Sequence, residues 1–234
     1  MSETNKYQKR QPKNPIKFKI TLSDEQKEAK ELILNNTITI LKGKAGSGKT
    51  LLACQVALDL MFKNQIEKIV IIRPSVAKED IGFLPGDLRE KMEPWMAPIF
   101  SNLKDLYNKD KIDKLITEEL IEIVPLMFMR GRTFVNACII VDEAQNITHQ
   151  QTEMVLSRIG VNSRMILCGD TRQIDLPNKR SSGFNFICNL EDKVNGLKVF
   201  ELKQNHRNPI VDEILDIYYQ EYENGNFNDG STIN

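Results

Sequence analysis

The stretch "ITILKGKAGSGKTLLACQVALDLMF", residues 38–62, decides the fold. It places a short apolar strand, a glycine-rich loop and an apolar helix directly after one another. The loop "GKAGSGKT" fits the P-loop pattern of a glycine, a four-residue spacer, and then glycine, lysine and threonine. The glycines let backbone amides wrap phosphates, the lysine supplies a positive charge, and the threonine hydroxyl is offered to Mg²⁺. The sequence therefore predicts a nucleotide-binding loop, formed by Gly43, Lys44, Ala45, Gly46, Ser47, Gly48, Lys49, Thr50 and Leu51.

Strand-like and helix-like segments alternate along the rest of the chain. The runs "KIVIIR", "ACIIV" and "RMILCG" are continuously apolar at their centres, as expected for strands that are covered on both faces. Helical segments separate them, including one predicted over residues 182–191. This order predicts an α/β fold with a mostly parallel sheet and helices on both faces.

The run "ACIIVDEAQN" ends a buried strand on two adjacent acids, Asp142 and Glu143. A buried carboxylate is costly unless it is paired or lies near a metal ion, and ligands bind at the carboxyl ends of parallel strands. Beside a P-loop, we expect Asp142 to hold Mg²⁺ through water and Glu143 to polarise the attacking water. Taken alone, the two acids could instead cap the helix that follows.

The same region indicates which reaction and which nucleotide to expect. A glutamate next to the metal-binding aspartate favours hydrolysis over transfer of phosphate to a metabolite. The segment "LPNKRSSG" lacks the aspartate that reads guanine. The prediction is therefore an enzyme that hydrolyses ATP with Mg²⁺.

The chain has 32 lysines and arginines and 32 aspartates and glutamates, so its net charge is zero. Net charge therefore gives no evidence for a nucleic-acid or membrane partner. We expect residues 1–20 to be a mobile basic arm, either simply solvated or in contact with a phosphate backbone, and residues 223–234 to fray. The four cysteines lack CxxC spacing, and no apolar run reaches the roughly 18 residues of a membrane helix. The expectation is a cytoplasmic protein without a membrane span and with one domain over residues 21–222.

Further motifs resemble those of superfamily 1 helicases. "RMILCGDTRQID" resembles motif III, which implies that Gln173 reaches the γ-phosphate, and "IIRPSVA" resembles motif Ia, which implies that Arg73 and Ser75 touch single-stranded nucleic acid. Gln26 lies where those proteins keep an adenine-reading glutamine, and it follows Ser23 with the spacing of a helix capping box.

With "GFLPGDLREKMEPWMAPIFSNL", "MRGRTF", "DEAQN" and "GDTRQIDLP" in order, the chain resembles the PhoH-like P-loop ATPases over roughly residues 22–220. The resemblance implies a RecA-like core in which the strand before Gln173 lies between the P-loop strand and the strand before Asp142. That family is linked to phosphate starvation in bacteria and is frequent in phages. Its substrate is poorly defined, and some relatives are associated with RNA.

The segment "LKQNHRNP", residues 202–209, resembles motif IV of the same helicases, whose arginine neutralises γ-phosphate charge in the transition state. In those helicases this arginine, here Arg207, belongs to a second RecA-like domain, but only 27 residues follow it in this chain of 234. We therefore expect no second such domain. Arg207 then acts on its own nucleotide, acts on a neighbour's nucleotide in a homo-oligomer such as a hexameric ring, or only caps the last strand.

Arg130 and Arg132 flank a glycine in "MRGRTF". Two such arginines suit pairing with nucleic-acid phosphates or with carboxylates at a subunit interface, and the alternative is a surface turn. The leading functional prediction is an ATPase coupled to binding, translocation or unwinding of single-stranded RNA or DNA. The alternative is a nucleotide-gated nucleic-acid-binding or scaffold protein that hydrolyses ATP slowly and unwinds nothing.

Overall fold

The computed structural model describes residues 16–74, 88–206 and 208–224. In that part of the chain the strands are β1 (Ile38–Gly43), β2 (Lys68–Arg73), β3 (Ile121–Pro125), β4 (Ala137–Val141), β5 (Arg164–Gly169) and β6 (Leu197–Leu202). The helices are α1 (Asp24–Asn35), α2 (Lys49–Phe62), α3 (Leu88–Leu106), α4 (Lys109–Thr117), α5 (His149–Leu156), α6 (Phe184–Cys188) and α7 (Pro209–Glu223). Short 3₁₀ helices cover Leu126–Met129, Ala144–Asn146 and Lys179–Ser181.

The six strands form one sheet in the order β3-β2-β4-β5-β1-β6, and every pairing between them is parallel. Strand β5 lies between β1 and β4, as the family resemblance implied: Ile166 of β5 pairs with Thr39 on one side and with Ile140 on the other. The loops after β1, β4 and β5 therefore meet at one edge of the sheet, which is where parallel sheets bind ligands.

Alternate residues of the strands feed two hydrophobic cores, one on each face of the sheet. Cys138 and Ile140 of β4 pack with helices α1 to α4, whereas Ile139 and Val141 pack with α5, α6 and the 3₁₀ helix after β3. Burial of each large apolar side chain contributes about 1.5–3 kcal/mol. The continuously apolar strands are explained by this two-sided cover, and the predicted fold class is confirmed.

The predicted ends of two segments, the helix over residues 182–191 and the N-terminal arm, differ from those in the structure. Helix α6 ends at Cys188 rather than near residue 191, because turn-forming residues follow it up to Gly196, whose φ is 83°. The end of the predicted N-terminal arm is packed: the ring of Phe18 lies 6.0 Å from that of Tyr107, centroid to centroid, and the Lys19 amide donates to Leu106 O at 3.0 Å. The rest of the arm, residues 1–15, and the tail beyond residue 224 lie outside the described residues.

None of the helices in the described ranges is long and apolar enough to cross a membrane.

Candidate active site

A pocket of about 690 Å³ opens where the loops after β1, β4 and β5 meet. Its lining draws on all three loops, on the start of α1 and on the segment after β6, and includes Gln26, Ala45, Gly46, Gly48, Lys49, Thr50, Leu51, Asp142, Glu143, Asp170, Gln173 and His206. The fold thus gathers in one cavity residues that are widely spaced in the sequence.

The P-loop has a backbone that only glycine can follow at its critical points. A side chain at Gly43 would place its Cβ 2.5 Å from Leu202 O, and at Gly48, whose φ is 80°, it would place Cβ 2.9 Å from Gln26 Nε2. Helix α2 begins at Lys49, directly after Gly48. The free amides of this helix start and the helix dipole together favour a bound phosphate.

Lys49 lies at the floor of the loop. Its Nζ donates to Gly43 O at 2.7 Å and to Lys44 O at 2.9 Å. Burial lowers the pKa of the Lys49 ammonium below its ordinary value, while nearby groups that include Asp170 and Glu143 oppose the shift. The side chain offers a compact positive charge at the place where the loop amides converge.

Thr50 and Asp142 join the P-loop to the end of β4. The Thr50 hydroxyl donates to Asp142 Oδ1 at 2.6 Å, and Asp142 is only 6% exposed. Burial raises the pKa of Asp142, whereas the hydrogen bond from Thr50 and the charge of Arg73 oppose that shift. A hydroxyl and a carboxylate are hard oxygen ligands of the kind that Mg²⁺ takes together with water and phosphate, so these two residues fit that ion.

Glu143 lies at the pocket wall in a left-handed conformation, with φ 51° and ψ 40°. Such a conformation is strained for a residue other than glycine and concentrates at functional positions. Its Oε2 accepts a hydrogen bond of 2.7 Å from Nε2 of Gln145. The Glu143 carboxylate is therefore held in one orientation by a neighbouring side chain.

Gln145, which the sequence reasoning missed, ties this carboxylate to the turn after β5. It is 1% exposed, its Nε2 also donates to Gln173 O at 3.1 Å, and its Oε1 accepts from the Asp170 amide at 3.1 Å. The signal in the sequence was a glutamine two residues after a predicted site glutamate. Nothing local indicated that it faces inward.

The turn after β5 also contacts the P-loop. Asp170 is 5% exposed and its Oδ2 accepts from the Ala45 amide at 3.1 Å. Gln173 lines the pocket, and its Nε2 donates to the Tyr219 hydroxyl of α7 at 3.1 Å. The structure thus brings Gln173 into the same cavity as Asp142.

Gln26 and His206 form the end of the pocket nearest α1. The capping box of α1 is present, with Gln26 Oε1 accepting from the Ser23 amide at 3.1 Å. The Gln26 and His206 Nε2 atoms are 3.4 Å apart, and the His206 amide donates to Gly46 O at 3.1 Å. His206 and Gln26 are 180 residues apart in the sequence, so nothing local predicts this contact. Arg207 itself lies outside the described residues.

Helix α7 is attached to the P-loop by a second set of contacts that the sequence did not reveal. Lys44 Nζ lies 2.5 Å from both carboxylate oxygens of Asp216. Arg172 lies 3.4 Å from Asp216 Oδ1, and its guanidinium stacks over the Tyr219 ring at 4.8 Å. The last helix therefore touches both the loop after β1 and the loop after β5.

The residues predicted to contact nucleic acid fall in different surroundings. Arg73 donates to Trp95 O at 2.8 Å, and its Nε lies 3.6 Å from Asp142 Oδ2, so it lies beside that carboxylate. Arg132 forms two hydrogen bonds of 2.7 Å with Glu122. Arg130 is exposed. Ser75 lies outside the described residues.

Known proteins resemble this chain in sequence over most of its length. The family model described as "PhoH-like protein" matches residues 19–219. The PhoH-like proteins of Synechocystis and Bacillus subtilis are each 40% identical over 196 residues, which cover 82% of this chain and 60% and 61% of theirs. Protein PhoH of Escherichia coli is 35% identical over 196 residues, covering 82% of this chain and 54% of that protein. The chain thus spans roughly 60% or less of the length of these relatives.

Among solved structures, the large terminase of a thermophilic bacteriophage superposes with a TM-score of 0.56. The sequence identity is 11%, over 86% of this chain and 52% of the terminase chain. At that identity the likeness concerns the fold alone.

Proposed function

This chain belongs to the PhoH-like protein family, and on that premise we propose that it is a Mg²⁺-dependent ATPase. The observation that carries the proposal is the 2.6 Å hydrogen bond from Thr50 to Asp142, which joins the P-loop to the acidic end of β4 beside Glu143. A phosphate-binding loop, a pair of metal-ligand oxygens and a carboxylate base in one pocket suit hydrolysis of a nucleoside triphosphate.

In the proposed mechanism the loop amides and Lys49 bind the phosphates, while Thr50 and Asp142 hold the ion. Bound Mg²⁺ supplies positive charge that neutralises the phosphate oxygens. Glu143 accepts a proton from the attacking water, and Gln145 keeps its carboxylate oriented. Gln173 contacts the γ-phosphate and so distinguishes ATP from ADP.

Two further roles complete the proposal. Gln26, at the α1 end of the pocket, reads adenine. Arg207 stabilises charge in the transition state, in its own subunit or in a neighbour, and this role rests on the motif resemblance alone because Arg207 is outside the described residues.

Replacing Glu143 with glutamine tests the enzyme proposal. Loss of the proton acceptor is expected to lower ATP turnover by about 10²–10⁴-fold, because general-base catalysis contributes that much. ATP affinity, measured by titration with a fluorescent analogue, should change little. Glu153→Gln is the matched control, since Glu153 is an exposed residue of α5. Equal, Mg²⁺-dependent turnover by the wild type and the Glu143→Gln variant would sink the proposal.

We further propose that ATP turnover is coupled to single-stranded RNA or DNA, which the motif resemblance supports. Arg130 makes no hydrogen bond or ion pair with another described residue, so it is available to a phosphate. Turnover should rise on addition of single-stranded oligonucleotide and the stimulation should weaken with salt. No response at any salt concentration would argue against the coupling.

The alternative proposal is a nucleotide-gated binding protein with slow hydrolysis. The contacts of α7 with Lys44, Arg172 and Gln173 favour it, because they connect a surface helix directly to the loops that line the pocket. Binding of nucleic acid or protein that differs between ATP and ADP, without strand separation, would distinguish it from a motor. In either version we propose a cytoplasmic homo-oligomer, and the four free cysteines are compatible with a reducing compartment.

A further inference from the structure

The segment that follows β6 lies between α1 and the P-loop. The Glu25 carboxylate of α1 accepts hydrogen bonds from the main-chain amides of Lys203 and Gln204, at 2.7 and 3.1 Å. On the other side, the His206 amide donates to Gly46 O at 3.1 Å. Main-chain bonds therefore fix the backbone of this segment at both ends, and its place does not depend on the side chain of His206.

The His206 ring lines the pocket and reaches the side chain of Gln26. The Nε2 atoms of the two residues are 3.4 Å apart. A Cβ at Gly48 would lie 2.9 Å from Gln26 Nε2 and 3.7 Å from His206 Cδ2. The two side chains thus lie together beside Gly48, the last residue of the P-loop before α2, at the end of the pocket where we place the base.

Gln26 is buried, so the polar atoms of its carboxamide need partners within the protein. It is 4% exposed, and its Oε1 accepts from the Ser23 amide at 3.1 Å. Within the described ranges, His206 Nε2 is the one hydrogen-bond partner of the Gln26 Nε2 group. A carboxamide nitrogen can only donate, so His206 Nε2 accepts and the ring carries its proton on Nδ1. Gln26 is therefore held at its oxygen and at its nitrogen by two different residues.

Two hydrogen bonds fix the Gln26 carboxamide more completely than one. The bond from the Ser23 amide fixes Oε1 but lets the group turn about that atom. The second bond, from Nε2 to His206, fixes the plane of the group as well. A reversed carboxamide would set Nε2 against the Ser23 N–H and Oε1 against His206 Nε2, and neither pair of atoms forms a hydrogen bond. The two partners together therefore select one orientation.

The hydrogen-bonding positions that Gln26 keeps free match adenine. A carboxamide has two acceptor lone pairs and two N–H groups, and the protein uses one of each here. One acceptor and one donor remain side by side. Adenine offers the N6 amino donor next to the N7 acceptor, and a glutamine pairs with both, whereas guanine offers two acceptors, O6 and N7. The orientation held by Ser23 and His206 therefore suits adenine and mismatches guanine.

We infer that His206 is a positioning residue for base selection, which holds the Gln26 carboxamide in the orientation that pairs with adenine. The inference rests on the proposed ATPase and on Gln26 as its adenine reader. His206 acts through Gln26 and not on the phosphates. Loss of its ring should therefore change which base is preferred and leave binding of the phosphate chain as it was.

The test compares His206→Leu, which removes the ring nitrogens, with His206→Gln, whose side-chain oxygen can accept the same bond. Titration calorimetry in the presence of Mg²⁺ gives the dissociation constants for ATP, GTP and tripolyphosphate. His206→Leu should lower the preference for ATP over GTP by about 2–10-fold, the worth of one hydrogen bond, because ATP binding weakens. His206→Gln should keep more of the preference than His206→Leu does. Tripolyphosphate has no base, so both variants should bind it as the wild type does.

A double variant shows whether His206 acts through Gln26. When His206→Leu is added to Gln26→Ala, the preference should change no further, because the group that His206 positions is already gone. The Ser23 hydroxyl accepts from the main-chain amide at position 26, at 3.3 Å, so α1 keeps this cap in the variant. His149→Leu is the matched control, since His149 is the other histidine of the chain and is exposed at the start of α5. Melting temperatures show that each variant is folded.

Several results would overturn the inference while leaving Mg²⁺-dependent ATP turnover intact. They are an unchanged ratio of ATP to GTP affinity in His206→Leu, an equal loss of tripolyphosphate affinity, and the same loss in His206→Gln. A full effect of His206→Leu in the Gln26→Ala background would show a direct contact with the nucleotide and would also refute positioning. A wild type that binds neither nucleotide nor tripolyphosphate would instead refute the ATPase proposal, and this inference with it.

Discussion

Replacing Gln145 with glutamate is the sharpest test of how the site is held together. The exchange keeps the shape and the acceptor for the Asp170 amide, but it replaces the donor that serves Glu143 at 2.7 Å and Gln173 O at 3.1 Å. A hydrogen bond to a charged group is worth about 1.5–3 kcal/mol and a neutral one about 0.5–1.5 kcal/mol. The expected loss in the free energy of unfolding is therefore about 2–4.5 kcal/mol, because Gln145 is buried and water cannot replace the lost donor.

Thermal unfolding and ATP turnover together check this expectation. For a domain of this size, 1 kcal/mol lowers the melting temperature by about 2–4 °C, so a decrease of roughly 10 °C is expected for the variant. Turnover should fall by at least about tenfold, since the Glu143 carboxylate loses its partner. ATP affinity should be kept, because Lys49 and Thr50 do not contact Gln145. The defect should shrink as the pH falls, because the introduced carboxyl then carries a proton and can donate again.

Gln151→Glu is the matched control for this experiment. Gln151 Oε1 accepts from the Thr148 amide at 2.8 Å in the capping box of α5, and glutamate can accept the same bond. Its unfolding free energy should change by less than about 0.5 kcal/mol. If the Gln145→Glu variant melted and hydrolysed ATP like the wild type, the structural link through Gln145 would be refuted.

Two other substitutions have defined outcomes. Tyr219→Phe frees Gln173 from the Tyr219 hydroxyl, so calorimetric titration should show ATP affinity rising about 2–10-fold, the worth of one hydrogen bond, with ADP affinity unchanged; an equal gain for ADP would contradict the sensor role. Burial raises the pKa of Asp59, but hydrogen bonds from Lys30 and Lys63 outweigh it and hold that pKa below its ordinary value. Asp59 therefore stabilises the fold above a pH of about 4 and loses this effect as the pH falls through its lowered pKa. Asp59→Asn should lower the free energy of unfolding in urea by about 1–2 kcal/mol at neutral pH, and this difference should disappear in acid. A difference of the same size in acid would contradict the role of the Asp59 charge.

Short local motifs predicted the parts of the candidate site that are formed by residues adjacent in the sequence. The glycines of the P-loop, Lys49 and Thr50 follow a strand and open a helix, as predicted, and this local order alone predicts a phosphate-binding loop. Asp142 was found because an acid at the end of a fully apolar strand has few structural explanations. The parallel sheet was predictable because its strands are covered on both faces and are apolar throughout.

Partners of side chains that come from distant segments could not be predicted in the same way. The contacts of the Arg73 guanidinium with Trp95 O and Asp142 were not predicted, and its contact with nucleic acid stays a prediction. Arg130 and Arg132 looked equivalent in "MRGRTF", yet only Arg132 finds a carboxylate, Glu122. Which partner each arginine contacts depends on the segments that the sheet order brings together. Residue type alone does not contain that information.

The contacts of the site divide into two classes that should respond differently to substitution. Lys49 donates to loop carbonyls, Thr50 donates to Asp142, and Gln173 donates to Tyr219; a phosphate or a metal ion would compete for each of these groups. Exchange of one hydrogen bond for another changes the free energy by only about 0.5–1.5 kcal/mol, so these three groups can turn to a ligand at little cost. Bonds of the second class connect one loop to another and leave no group for the ligand.

The bond that Gln145 Oε1 accepts from the Asp170 amide belongs to that second class. Its loss leaves a buried amide without a partner, which costs stability whether or not nucleotide is present. Helix α7 is attached through the first class, by Tyr219 to Gln173 and by Asp216 to Lys44 of the P-loop. A helix held by exchangeable contacts can respond to a ligand, whereas one held by fixed contacts cannot, so we expect α7 to shift when the proposed nucleotide binds.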